Sequence, residues 1–381
     1  MPVAESLLSW FDASRRDLPW RETSDPYSIW ISEIMAQQTR VETVIPFYRR
    51  FLARYPDVAS LAAADEGELL SLWSGLGYYR RCRMLHAAAR QIVAGTTAAS
   101  PQPELPRSAR ELAELPGIGP YTAAAIASIA FGEPVPVLDG NVERVISRYA
   151  ALPAGMKTAA GRREILALAA SFLDLSRPGD SNQALMELGA TVCTPRAPRC
   201  PLCPLANGCA ALAQKAVENF PARSGRAAPL RIRQLLAVVF REGKILLFRR
   251  PSDARQLAGL WEFPLVDFPA AGEAEALESE AVETEALELV AKYGGRWALA
   301  EEAVHFRHAI TTRSFEIEAR RATLLVDDET LAENESGFEA GWWSGEAALA
   351  LPLTGLARKV LARREFQPSR LSEPAQGFQP G

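Results

Sequence analysis

At 381 residues the chain is longer than a single hydrophobic core commonly serves, so two domains are expected. A hydrophobic content of 48% with 23% charged residues is that of a soluble globular protein, and no apolar run approaches the ~20 residues that span a bilayer, so a cytoplasmic, membrane-free protein is expected. The net charge of −4 does not exclude a nucleic-acid partner, because residues 1–225 carry 23 basic against 22 acidic side chains and the remainder 19 against 24, with local basic clusters at Arg80-Arg81-Cys82-Arg83 and Arg162-Arg163.

In chain order, apolar residues recur at helical spacing over Ser6–Phe11, Pro26–Gln38, Thr43–Tyr55, Glu66–Trp73, Arg83–Ala94, Ala109–Glu114, Thr122–Phe131, Val142–Tyr149 and Gly161–Leu173. Turn signals separate them at Gly75-Leu76-Gly77, Pro116-Gly117-Ile118-Gly119-Pro120, Pro153-Ala154-Gly155 and Arg177-Pro178-Gly179. An all-α domain over residues 1–220 is expected. Residues 221–231 are small, basic and proline-flanked, as in a linker. Residues 232–366 then change period. Gln234–Phe240 and Lys244–Arg249 read as strands around a Glu242-Gly243 turn, Thr312–Ala319 and Arg321–Val326 as later strands, and Glu278–Ala291 as an amphipathic helix between them. This predicts a smaller α+β domain. Residues 367–381, rich in Pro, Gly, Ser and Gln, read as a disordered tail.

Four cysteines, Cys193, Cys200, Cys203 and Cys209, follow a C-x6-C-x2-C-x5-C spacing, and Cys82 stands apart as a small buried apolar residue. In a cytosolic chain such crowding points to metal rather than to disulfides, since converging thiolates repel unless a cation neutralises them. Zinc and a [4Fe–4S] cluster both accept four thiolates, although structural zinc more often uses two tight cysteine pairs and only one is present here.

The run Leu115-Pro116-Gly117-Ile118-Gly119-Pro120-Tyr121 stops one helix and opens another. Gly117 and Gly119 permit close backbone approach, and the following helix turns unpaired N–H groups toward an anion such as a phosphate. Asp139 follows in Val137-Leu138-Asp139-Gly140-Asn141, at an apolar-to-helix junction where a helix N-cap is the ordinary role. In order and spacing, this hairpin, Asp139 and the cysteine loop resemble the helix-hairpin-helix-GPD, or endonuclease III, superfamily of DNA glycosylases over roughly residues 20–210. The resemblance implies a [4Fe–4S] cluster on the four cysteines. It also implies that Asp139 faces the target sugar and stabilises its developing positive charge.

Members that also cleave the strand carry a lysine early in the second hairpin helix. Here that position is Tyr121, a phenol that forms no Schiff base, and the chain's lysines, Lys157, Lys215, Lys244, Lys292 and Lys359, lie away from the hairpin. A monofunctional glycosylase is expected. Glu33 interrupts the apolar stretch Trp30-Ile31-Ser32-Glu33-Ile34-Met35. A partly exposed helical glutamate is its ordinary reading, but the segment resembles the MutY-type adenine glycosylases, in which the matching glutamate protonates the purine. Burial would raise its pKa to suit that task. An acid at Glu33 and an ionised carboxylate at Asp139 divide the labour as in glycosidases. By the same resemblance Tyr121 and Asn141 shape the pocket, while Gln38 and Tyr78 fill the gap left by a flipped base.

Gly259-Leu260-Trp261-Glu262-Phe263-Pro264 resembles the start of the Nudix-like domain with which MutY-type enzymes read 8-oxoguanine. The stretch Thr284-Glu285-Ala286-Leu287-Glu288-Leu289 has too few carboxylates for a magnesium-binding hydrolase, which makes the domain a reader. The family's lesion loop usually contains Phe-Ser-His. Here Ile310-Thr311-Thr312 occupies that register, with Thr311 keeping a hydroxyl; Phe306-Arg307-His308 is the alternative. The resemblance therefore implies a monomeric enzyme of the nucleoid, acting on duplex DNA with adenine opposite 8-oxoguanine or guanine. Its rivals are a bifunctional glycosylase/lyase, disfavoured by Tyr121, and a non-catalytic iron–sulfur DNA-binding protein, disfavoured by Glu33 and Asp139.

Overall fold

Several helix starts among the described residues are set by side-chain caps. In the computed structural model, which describes residues 2–96, 102–152, 158–222, 229–269, 287–310, 313–325 and 337–366, Asp25, Asp57, Asp65, Ser108, Asp139 and Thr158 each accept a backbone N–H from the first turn of the helix they precede. The expected tail and residues 278–286 of the expected helix lie outside the described residues. Among the described residues no helix is long and apolar enough to cross a membrane.

The chain divides into two units. The first comprises Met1–Ala64 with Arg80–Gly225, and the second comprises Asp65–Tyr79 with Arg226–Gly381. The first is all-α, as expected. Its helices are α1 (Val3–Ser14), α2 (Pro26–Ala36), α3 (Val41–Arg54), α4 (Val58–Ala62), α6 (Tyr79–Ala94), α7 (Ala109–Leu112), α8 (Pro120–Phe131), α9 (Gly140–Tyr149), α10 (Ala159–Ser171), α11 (Pro178–Thr191) and α12 (Ala210–Ala213), while α5 (Glu66–Trp73) belongs to the second unit. Leu7, Phe11, Val142, Ile146, Ile165, Leu185 and Leu188 form a buried core beneath α1, α9, α10 and α11.

The sequence marks Arg177-Pro178-Gly179 as a turn and gives no sign of helix α11 beyond it. The turn residues are its opening instead: Pro178 sits in the first turn, where its missing N–H costs nothing. Gly179 lies so close to α8 that a Cβ would stand 2.6 Å from the Ser128 carbonyl oxygen. The glycine marks a helix crossing, and the proline marks a start.

The second unit is α+β, as expected. Its strands are β1 (Leu230–Arg241), β2 (Lys244–Arg249), β3 (Trp261–Glu262), β4 (Leu265–Pro269), β5 (Trp297–Ile310), β6 (Arg313–Leu324) and β7 (Glu339–Ser344). They form one sheet in the order β3-β2-β1-β6-β5, with β4 paired to β1 and β7 to β2. At the β1–β2 turn Glu242 and Gly243 both take positive φ, 50° and 73°, as a tight twisted hairpin requires. Along β1, Leu236 and Val238 face one core while Leu235, Ala237 and Val239 face another. Both faces of this central strand are covered, hence its nearly unbroken apolar run. The two late strands expected in sequence are one: β6 stays in parallel register with β1 from Leu230↔Arg313 to Val239↔Ala322.

Candidate active site

Asp25 starts α2, with Pro26 in its first turn, and the helix buries Ile29, Trp30, Ile31, Ile34 and Met35. That burial fixes which way Glu33 points. Its carboxylate lines a pocket of about 210 Å³ with Tyr121, Asp139 and Asn141. Tyr121, from the first turn of α8, donates its hydroxyl to Glu33 Oε2 at 2.9 Å and also lies 3.1 Å from Met186 Sδ. Burial drives the Glu33 pKa up to about 7; the negative charge of Asp139 adds to the rise, while the Tyr121 hydrogen bond and Arg21 oppose it.

Asp139 performs the capping role and lines the pocket as well. Its Oδ1 accepts from the backbone N–H groups of Asn141 at 2.9 Å and Val142 at 2.8 Å. Its Oδ2 accepts from Asn141 Nδ2 at 2.8 Å. Three donors and the positive end of α9 thus hold one carboxylate in place. Arg144 reinforces Asn141 by donating from Nη2 to Asn141 Oδ1 at 2.8 Å, and donates from Nε to the Cys193 carbonyl at 2.7 Å.

The two hairpin glycines have different reasons to be glycine. Gly117 takes φ 78°, and a Cβ there would meet Met84 Cβ at 2.6 Å. Gly119, the residue before α8, faces open space, with nothing within 4 Å of where a Cβ would be. Gln38 is exposed just past α2 with φ 55°. Arg81 closes this end of the helix by donating from Nη1 to the carbonyls of Ile34, Met35 and Gln37.

Tyr78 belongs to the second unit, is 42% exposed and has φ 50°. Thr311 and its neighbour Thr312 lie outside the described residues, between strands that pair up to Ile310↔Arg313. The alternative triplet Phe306-Arg307-His308 lies inside β5, each residue paired with β6, and so does not form a loop.

Cys193, Cys200, Cys203 and Cys209 line a common small cavity together with Arg148. Burial pushes the Cys203 thiol up to about 11 and raises Cys209 as well, and the neighbouring cysteines add to both. Arg148 Nη1 stands 3.4 Å from Cys193 Sγ. Among the described residues, no group of three or more His, Cys, Asp or Glu side chains is set to hold a metal ion as the side chains stand. The donor set nevertheless fits a thiolate-ligated cluster: the four cysteines line one cavity, and burial disfavours the thiolates of Cys203 and Cys209 until a cation compensates them.

Residues 31–168 match the family described as HhH-GPD superfamily base excision DNA repair protein. An adenine DNA glycosylase of Arabidopsis thaliana is 38% identical over 304 residues, which is 69% of this chain and 47% of that protein. Another, from Schizosaccharomyces pombe, is 34% identical over 323 residues, 69% of each. The chain belongs to the adenine DNA glycosylase family. A solved structure of a thermostable thymine-DNA glycosylase is also similar, with a TM-score of 0.50 at 28% identity, covering 55% of this chain and 95% of that one. The chain spans about half the length of the Arabidopsis adenine DNA glycosylase, 47%.

In this member of the adenine DNA glycosylase family, the pocket wall contains residues that sequence reasoning missed. Glu187 on α11 is almost wholly buried and accepts from Arg16 Nε at 2.7 Å and Arg21 Nη2 at 2.9 Å. Arg21 Nε also donates to Gln183 Oε1 at 3.2 Å. A signal was present: Glu187 interrupts the apolar run Ala184-Leu185-Met186-Glu187-Leu188 just as Glu33 interrupts α2. The signal is masked because Arg177-Pro178-Gly179 reads locally as a turn rather than as a helix start.

Proposed function

We propose that the protein is a monofunctional base-excision enzyme that hydrolyses the N-glycosidic bond of adenine opposite 8-oxoguanine, or guanine, in duplex DNA. The observation that carries this reading is the pair Glu33 and Asp139 in one pocket, with a tyrosine at the position where a strand-cleaving relative would carry lysine. Adenine leaves poorly until a ring nitrogen is protonated. Glu33, with a pKa near 7, can hold that proton at neutral pH and give it up. Bond cleavage leaves a sugar with oxocarbenium character, and the fixed carboxylate of Asp139 is the counter-charge. Water then completes hydrolysis. Tyr121 holds Glu33 by its hydroxyl, and Asn141 holds Asp139 by its amide.

A base inside a duplex cannot reach such a pocket, so the nucleotide is flipped and the gap filled, by Gln38 and Tyr78 on this reading. The open backbone at Gly119, before α8, suits a phosphate of the DNA strand. Cys193, Cys200, Cys203 and Cys209 would hold a [4Fe–4S] cluster, which when bound supplies a rigid tie for the loop and a one-electron couple. The second unit, with Thr311 between β5 and β6, would read the opposing base.

The test is to incubate the protein with a duplex carrying adenine opposite 8-oxoguanine. An intact strand that breaks only after hot alkali is expected. No alkali-labile site, or breakage without alkali, would overturn the reading.

A further inference from the structure

The loop that carries Tyr78 is held by the sheet-bearing unit. On its N-terminal side Trp73 Nε1 donates to the Gly77 carbonyl at 3.1 Å. Along this loop the chain takes φ 111° at Gly75, 72° at Gly77 and 50° at Tyr78. A tyrosine in the left-handed region persists only when its surroundings impose it. On the C-terminal side that imposition has a visible source. Tyr79, 4% exposed, donates its hydroxyl to the Leu353 carbonyl. Ser74 Oγ stands 3.2 Å from Tyr79 Oη and 3.3 Å from the Leu353 carbonyl, and accepts from Arg358 Nε at 3.2 Å. Ser71 Oγ donates to the Ala350 carbonyl. All of these residues belong to the second unit.

The far end of this hook is itself fixed to the sheet. Trp261 of β3 donates its N–H to the Pro352 carbonyl, and Thr354 donates its N–H to the Trp261 carbonyl, each at 2.9 Å. Leu353 between them is fully buried. Thr354 then caps the helix Gly355–Leu361 that presents Arg358.

We propose that Tyr79, supported by Ser74 and Arg358, is a positioning residue for lesion reading. Its hydroxyl ties the Tyr78 loop to the β3-anchored Leu353, so that the wedge takes its stance from the unit that reads the opposing base. The inference rests on the reading of the protein as an adenine glycosylase acting opposite 8-oxoguanine, and it deepens that reading. A loop held only by its own glycines could adopt several left-handed conformers. The hook selects one, and the selection matters most where the wedge must sit beside a particular base.

The experiment uses the full chain and Tyr79→Phe, which keeps the buried ring and deletes the hydroxyl. Single-turnover excision is measured with 8-oxoguanine and with guanine opposite adenine, and 2-aminopurine beside the opposing base reports stacking at the wedge. The ratio of the two rates should fall by about three- to tenfold, the range that losing one buried hydrogen bond spans, and the 2-aminopurine signal should move with it. Ser74→Ala and Arg358→Gln should shift the ratio in the same direction by smaller factors, and they carry the test if Tyr79→Phe does not fold. An equal loss on both duplexes with an unmoved 2-aminopurine signal would mean a merely structural role and overturn the proposal, as would an unchanged ratio. If the unaltered protein excises adenine from neither duplex, the underlying reading fails and the hook falls with it.

Discussion

The hydroxyl of Tyr121 donates to the carboxylate of Glu33 at 2.9 Å and thereby works against the burial that raises the Glu33 pKa to about 7. On the proposed reading Glu33 must be protonated to act, so the excision rate should fall as pH climbs through about 7. Tyr121→Phe removes a bond that stabilises the ionised form, and the alkaline limb should move to higher pH. Single-turnover rates across pH 5–9 check this. A limb that moves to lower pH would mean that another group is the acid.

Glu33→Gln should cost on the order of 10²–10⁴ in rate, the usual worth of a positioned acid. The same change should stabilise the fold. A carboxyl whose folded pKa lies above its unfolded value of 4.5 contributes stability below pH 4.5 and loses that contribution as pH rises through about 7. At pH 8 the glutamine variant should therefore be the more stable, by on the order of 1–3 kcal/mol, with no difference at pH 4. Thermal melts at the two pH values decide. A variant equally inactive but less stable at pH 8 would contradict the account.

Glu187 has the opposite sign. Despite burial its pKa is lowered by Arg16 and Arg21, so its contribution is present above pH 4.5 and lost on acidification below it. Glu187→Gln leaves two guanidinium groups without their anion and should destabilise the protein by about 3 kcal/mol at pH 7, less at pH 3. Denaturant titrations at both values measure it, and an unchanged midpoint at pH 7 would refute the pairing's importance.

Gly189 on α11 touches Asn141 so closely that a Cβ would stand 2.6 Å from Asn141 Cβ. Gly189→Ala should displace Asn141 and, through it, the Asp139 carboxylate. Excision should fall by about tenfold or more, because sub-ångström misplacement at a reacting centre is costly. The fold should survive. Single-turnover kinetics with circular dichroism separates the two effects, and full activity in the alanine variant would sink the argument.

Much of this was legible in the sequence, and what was missed has physical causes. Helical periodicity and turn signals located most of α1 to α10, and strand alternation located β1 and β2, because those signals are local. Helix α11 was missed because proline and glycine mark both helix starts and turns, and only the tertiary packing of Gly179 against Ser128 separates the cases. Strand β5 carries mostly exposed or half-buried side chains at the sheet edge, and its apolar alternation is short, confined to residues such as Val304 and Phe306. The motifs singled out Glu33 and Asp139, which the fold brings to one pocket, whereas Arg16, Arg21 and Glu187 meet only across 171 and 166 residues of chain. No local pattern reports such pairs. The assignment of Asp65–Tyr79 to the second unit was invisible for the same reason.

Gly117 and Gly119 stand two residues apart in one hairpin, yet a stability screen would score them very differently. Alanine at the first must displace Met84 and strain its own backbone, so the folded protein registers the damage alone. Alanine at the second meets nothing in the free chain. Its methyl group would matter only once a strand lies against the α8 N-terminus. On the proposed reading, thermal melts would rank Gly119 as expendable, and the same residue would emerge as constrained in any assay scored by what the protein holds rather than by how firmly it holds itself.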